Sequence, residues 1–115
     1  MVSGSRYPAR HQFDAVISKQ DLVGFYWPAF ETCIKDAQVQ AVMCSYNSVT
    51  IEGDPKPGDH PNGVPSCANG ALNDGVLREQ WGFDGLMVSD CTAISDFTTW
   101  NSKVSCSTAQ LNIWL

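Results

Sequence analysis

The chain has 115 residues and a formal charge of −5, with seven Lys and Arg against twelve Asp and Glu. This length supports one modest hydrophobic core, and the few dispersed cations exclude a phosphate-backbone partner such as nucleic acid. No apolar stretch approaches the roughly 20 residues that span a bilayer, so no membrane partner is expected, and Met1 to Arg10 lack the apolar core of a signal peptide.

In chain order, Phe13-Asp14-Ala15-Val16-Ile17 alternates as a short strand or extended segment does. Ser18, with Asp21 three residues on, resembles a capping box and predicts a helix over 19–37. Its apolar stripe is Leu22, Tyr26, Ala29, Phe30, Cys33 and Ala37. Pro28 lies beyond the first turn and removes the bond to the Gly24 carbonyl, so a kink is expected there. Val39 to Cys44 then reads as a buried strand that ends in Ser45-Tyr46-Asn47.

From Ile51 to Pro65 the chain fills with Gly, Pro, Asp and Asn and reads as a surface loop. Asn69 caps a helix over 70–80, with Leu72, Val76 and Leu77 facing inward and Gly82 ending it. The next run, Gly85-Leu86-Met87-Val88-Ser89-Asp90-Cys91, is a buried strand that stops abruptly at a carboxylate. Strand, helix and strand in this order form a βαβ unit, whose two strands are parallel. The fold class is therefore α/β, and Tyr46 and Asp90 are expected on one rim, at the strand ends where such folds place reactive groups. Residues 98–115 have no caps and no clear period, and no structure is assigned to them.

Other residues have less to say. Cys33, Cys44, Cys67, Cys91 and Cys106 show no CxxC pair and no His at ligand spacing, which argues against a metal site and leaves free thiols and a disulfide both open. On local grounds a strand-end Asp is also a turn former or cap, and Tyr46 could be a core residue with a satisfied hydroxyl. His11 and His60 read as isolated surface residues, Arg78 and Glu79 as members of ion pairs, and Ser45 and Asn47 as partners for backbone groups.

Four segments, in this order, resemble the N-terminal barrel domain of glycoside hydrolase family 3. They are Phe13 to Leu22 (FDAVISKQDL), Val42 to Asn47 (VMCSYN), Asn62 to Asn69 (NGVPSCAN) and Leu77 to Cys91 (LREQWGFDGLMVSDC). The resemblance spans residues 10–97 and implies part of a (β/α)8, TIM-like barrel with parallel strands, followed by a divergent tail at 98–115. It also implies hydrolysis of O-glycosidic bonds by a retaining mechanism that needs no cofactor. Asp90 takes the place of the nucleophile, and Tyr46 that of the tyrosine that contacts the nucleophile and the first-subsite sugar.

Cys91 stands where many β-glucosidase-like members have Trp, and shapes the subsite. Together with the Ser-Lys-Gln-Asp-Leu and Pro-Ser-Cys-Ala-Asn steps it is similar to the β-xylosidase and α-arabinofuranosidase branch. The substrate implied is a xylo-oligosaccharide or related glycoside, and the compartment implied is extracellular. Cys44 and Cys67 fall in segments that carry cysteines in secreted relatives, which implies a disulfide between them.

Three departures accompany the resemblance. The family's sugar-binding Lys-His pair belongs upstream of the matched segments. Its acid/base Glu has no counterpart after Asp90, and Thr50 to His60 reads as an insertion. The expectation is a fragment of the family domain that is inactive alone, with a non-catalytic carbohydrate-binding or structural remnant as the alternative.

Overall fold

The computed structural model describes residues 11–54 and 62–100. His60, with most of the Gly- and Pro-rich loop, and residues 101–115, with Cys106, lie outside them. Strand β1 spans Asp14–Ile17, β2 Ala41–Cys44, β3 Ser48–Ile51, β4 Val64–Pro65 and β5 Leu86–Ser89. Helix α1 covers residues 19–35, α2 is Ala71–Gln80 and α3 is Ala93–Trp100.

The expected βαβ pairing is present: β2 and β5 are parallel, with Ala41 opposite Leu86 and Cys44 opposite Ser89. The strands fall into two sheets, β1-β3-β4 and β2-β5. The structure is thus mixed α/β with two small sheets, and the described strands do not join into one barrel wall. Strand β3 was not expected: Ser48–Ile51 pairs in parallel with β1 and Val49 lies opposite Val64 of β4, so Ile51 and the two residues of β4 are strand where the 51–65 loop was predicted. Its Val-Thr-Ile run is a β-branched signal, hidden by the Gly- and Pro-rich sequence that follows.

Helix α1 begins as its cap predicts, with the Asp21 N–H donating to Ser18 Oγ at 3.0 Å. Its winding then departs from the expectation. Leu22–Tyr26 forms a π turn, and the Trp27 N–H donates to the Leu22 carbonyl. The wide turn sits just before Pro28, where the ladder lacks a donor. It advances the inward face by one residue. The stripe predicted at Tyr26, Ala29, Phe30, Cys33 and Ala37 is exposed, whereas Leu22 and Ile34 are buried and Trp27 half-buried. Five residues separate Leu22 from Trp27, matching a π turn, and seven separate Trp27 from Ile34, matching two α turns.

Helix α2 also winds in π fashion over Ala71–Gln80, where an ordinary helix was expected. Asn69 Oδ1 accepts from the Leu72 N–H at 3.2 Å, as a cap should. Gly82, at φ +72°, closes the other end in the left-handed region that favours glycine. Helix α3 was not foreseen. It extends to Trp100 and so takes in the first residues of the stretch left without structure.

The main core joins Ile34 of α1, Leu77 of α2, and Trp81 and Phe83 after α2, with Trp27, Val39, Val42 and Met87 packed against them. Trp27 and Trp81 meet edge to face at 5.8 Å. Arg78 was expected to be ion-paired. Instead its guanidinium donates to the carbonyls of Phe83 and Gly85 at 2.9 and 2.7 Å and lies over the Phe83 ring. These bonds tie α2 to the start of β5. Gly85 is required there, since a Cβ would overlap the Gln40 carbonyl and the Phe83 ring.

The opposite face of the β2-β5 sheet is bare: Ala41, Met43, Leu86 and Val88 are all exposed. Phe25 on α1 is 76 % exposed and Met43 61 %. Such apolar surface is uncommon on a self-sufficient soluble domain.

Candidate active site

Parallel pairing of β2 with β5 brings the ends of both strands to one rim, and the Asp90 N–H extends the ladder by bonding to the Cys44 carbonyl at 3.2 Å. Tyr46 follows β2 and Asp90 follows β5. The Tyr46 hydroxyl donates to Asp90 Oδ1 at 2.9 Å, and the Cys91 N–H donates to the same oxygen at 2.7 Å. Among the described residues Oδ2 has no hydrogen-bond partner, and Asp90 is half-buried. One carboxylate oxygen is thus held by two donors while the other stays open, a suitable state for a nucleophile.

The turn after Asp90 carries strain. Thr92 has φ +69°, an uncommon conformation for a β-branched residue. That turn starts α3, with the Ala93 N–H bonded to the Asp90 carbonyl at 3.1 Å. Ala93 and Cys67 form a buried cluster, and Tyr46, Cys44, Ala68 and Ile94 pack on it.

A disulfide joins Cys44, at the end of β2, to Cys67 in the short 3-10 turn Ser66–Ala68. Around it, Ser45 Oγ donates to Ser66 Oγ at 3.0 Å, and Ser66 Oγ donates to the Asn47 carbonyl at 2.6 Å. Asn47 Nδ2 donates to the Ser48 carbonyl at 2.9 Å. The segment bearing Tyr46 is held on both sides. Cys91 is an exposed free thiol directly after Asp90.

His11 was read as an isolated surface residue, but it belongs to this site. Its Nδ1 lies 2.8 Å from Asp96 Oδ2, both side chains are largely covered, and its ring centroid is 3.9 Å from that of Tyr46. No local pattern announces it, because its partners are remote in sequence. A groove of about 390 Å³, lined by Leu22, Trp27, Val42, Leu72 and Met87, includes neither Tyr46 nor Asp90. Its apolar lining makes it a packing gap between the helices and sheets, unlike a sugar site. Among the described residues no three His, Cys, Asp or Glu side chains are grouped as metal ligands.

Residues 7–112 match the model of the glycosyl hydrolase family 3 N terminal domain. The chain belongs to this family. The matched span runs beyond Phe97 into the region set apart as a tail.

Among family 3 relatives, the chain is 48 % identical over 91 residues to the "Probable exo-1,4-beta-xylosidase bxlB" of Aspergillus clavatus, covering 76 % of this chain and 10 % of that protein. It is 43 % identical over 86 residues to "Probable beta-D-xylosidase 6" of Arabidopsis thaliana, covering 75 % of this chain and 9 % of the relative. The chain therefore spans about a tenth of the length of these relatives.

Among solved structures, a GH3 exo-beta-xylosidase in complex with a xylobiose aziridine activity-based probe superposes with a TM-score of 0.71 at 30 % identity, over 90 % of this chain and 12 % of that one. The GH3 beta-glucosidase of Bifidobacterium adolescentis gives 0.60 at 32 % identity, over 90 % of this chain and 14 % of that one.

Proposed function

We propose that this chain carries the nucleophile of a retaining, exo-acting glycosidase of the β-xylosidase type, acting on xylo-oligosaccharides. The observation that carries the reading is the Tyr46 hydrogen bond to one oxygen of Asp90, which leaves the other oxygen open at the rim of two parallel strands. In a retaining mechanism that open oxygen attacks the anomeric carbon as the glycosidic C–O bond breaks. A protonated acid on the other side, about 5 to 5.5 Å away, gives its proton to the leaving oxygen. Water, deprotonated by the same group, then releases the sugar from the carboxylate.

The substrate class rests on the names of the relatives, and Cys91 is assigned a role in shaping the first subsite. The acid/base partner is proposed to be a Glu outside these 115 residues. The two sheets are proposed to be parts of a (β/α)8 barrel whose remaining strands cover the bare β2-β5 face. By itself the chain is then expected to have weak activity or none. The Cys44–Cys67 disulfide suits an extracellular setting.

The test is a chimera in which residues 10–97 replace the matching stretch of the Aspergillus clavatus relative. The chimera should hydrolyse an aryl β-xyloside, and Asp90→Asn should cost at least about a thousandfold in kcat. Azide should rescue Asp90→Gly and yield a glycosyl azide of opposite anomeric configuration. Turnover unchanged in Asp90→Asn would overturn the reading. A folded chimera without turnover would point to a non-catalytic remnant instead.

A further inference from the structure

We infer that His11, anchored by Asp96, is a positioning residue that holds the Tyr46 ring so that its hydroxyl stays on Asp90. The catalytic meaning of this inference rests on the nucleophile reading above, while the positioning itself does not.

Four elements converge on the arrangement. His11 precedes β1, Tyr46 follows β2, Asp90 follows β5 and Asp96 lies in α3. His11 and Asp96 are 85 residues apart in sequence, yet Nδ1 and Oδ2 are 2.8 Å apart, with only 16 % and 18 % of the two side chains exposed. A carboxylate only accepts, so Nδ1 carries the proton and the imidazole plane is fixed by that bond. The fixed ring lies 3.9 Å from the Tyr46 ring, tilted by 39°. The Cys67 and Ala93 cluster provides further packing for Tyr46.

The tyrosine hydroxyl is the far end of a long side chain. A small rotation about χ1 carries it out of hydrogen-bond range of Asp90, and misplacement by about 1 Å at a reacting group can cost a hundredfold in rate. The contact partners of the ring therefore decide whether the 2.9 Å bond is kept. A surface ion pair that merely pinned the N-terminal segment to α3 would need no ring contact with Tyr46. Here the same imidazole makes both contacts.

The test uses the whole 115-residue chain labelled with ¹³C in Asp and Tyr side chains, read by NMR at neutral pH. Tyr46→Phe defines the Asp90 carboxyl signal without the bond. His11→Ala and Asp96→Ala, each of which removes one partner of the anchoring bond, should displace the same signal in the same direction, by about half of that displacement or more. His11→Phe, which keeps a ring but loses the bond to Asp96, should fall between His11→Ala and wild type. Should His11→Ala not fold, Asp96→Ala and His11→Phe carry the comparison.

A purely structural role would lower the unfolding midpoint and leave the Asp90 signal in place, which would overturn the inference. So would a Tyr46→Phe variant with an unmoved Asp90 signal, since no bond would then exist to be positioned. In the chimera, His11→Ala should lower kcat with little change in KM. If the NMR displacements appear while Asp90→Asn keeps full turnover, the nucleophile reading fails and the positioning stands.

Discussion

Tyr46 and Asp90, 44 residues apart in sequence, are joined by a 2.9 Å hydrogen bond at the ends of two adjacent parallel strands. A hydrogen bond to a charged acceptor contributes about 1.5 to 3 kcal/mol. In the chimera, Tyr46→Phe should therefore reduce kcat by about ten- to a hundredfold. The fold should be unchanged by circular dichroism, and steady-state kinetics on an aryl β-xyloside measure the effect.

Gly85 sits where the chain after Phe83 passes against Gln40. Gly85→Ala should push these segments apart and cost about 1 to 3 kcal/mol, the usual range for overpacking. Thermal unfolding of the two proteins should show a midpoint lower by several degrees. An unchanged midpoint would mean that the approach is looser than described.

Arg78 satisfies two carbonyls at the start of β5 and covers the Phe83 ring. Arg78→Lys keeps the charge but cannot present two donors in a fixed fork, so it should recover only part of what Arg78→Ala loses, about 1 to 3 kcal/mol. Denaturant midpoints of the three proteins give the order directly.

The Cys44–Cys67 disulfide closes a loop of sequence separation 23. In the chain-entropy account a loop of this size is worth roughly 3 kcal/mol. Reduction should therefore lower the urea midpoint and loosen the segment that bears Tyr46. Mass analysis before and after reduction confirms the bond, and the Asp90 carboxyl signal should move as in Tyr46→Phe.

The bare face of Ala41, Met43, Leu86 and Val88 predicts self-association or dye binding by the isolated chain. A hydrophobic fluorescent dye should bind it, and Met43→Gln with Val88→Thr should weaken that signal. Turnover of an aryl β-xyloside by the isolated chain at an ordinary enzymatic rate would contradict the proposed need for further segments.

Much of this protein is written locally. The cap at Ser18, the cap at Asn69, the stop at Gly82 and the apolar runs of β2 and β5 each depend on a few neighbouring residues. Short-range sterics and periodicity therefore sufficed to place them, and the long helical crossover between them implied that the two strands are parallel. The stop of an apolar run at Asp90 likewise marked the rim before any contact was known.

What depended on partners far along the chain was not legible. The stripe of α1 differs from the expectation because a π turn ahead of Pro28 shifts its phase by one residue, which turns Trp27 toward Trp81. Strand β3 exists because β1 offers it a parallel edge. Arg78 is the local exception: the carbonyls it reaches, those of Phe83 and Gly85, lie close in sequence, and the turn from α2 into β5 brings them to its guanidinium. His11 acquired a role only because α3 brings Asp96 to it and β2 brings Tyr46 against its ring. By itself the sequence determined which segments are regular and which carboxylate ends a strand. Tertiary structure decided what faces that carboxylate, because side chains remote in sequence have no fixed distance until the strands pair and the helices pack.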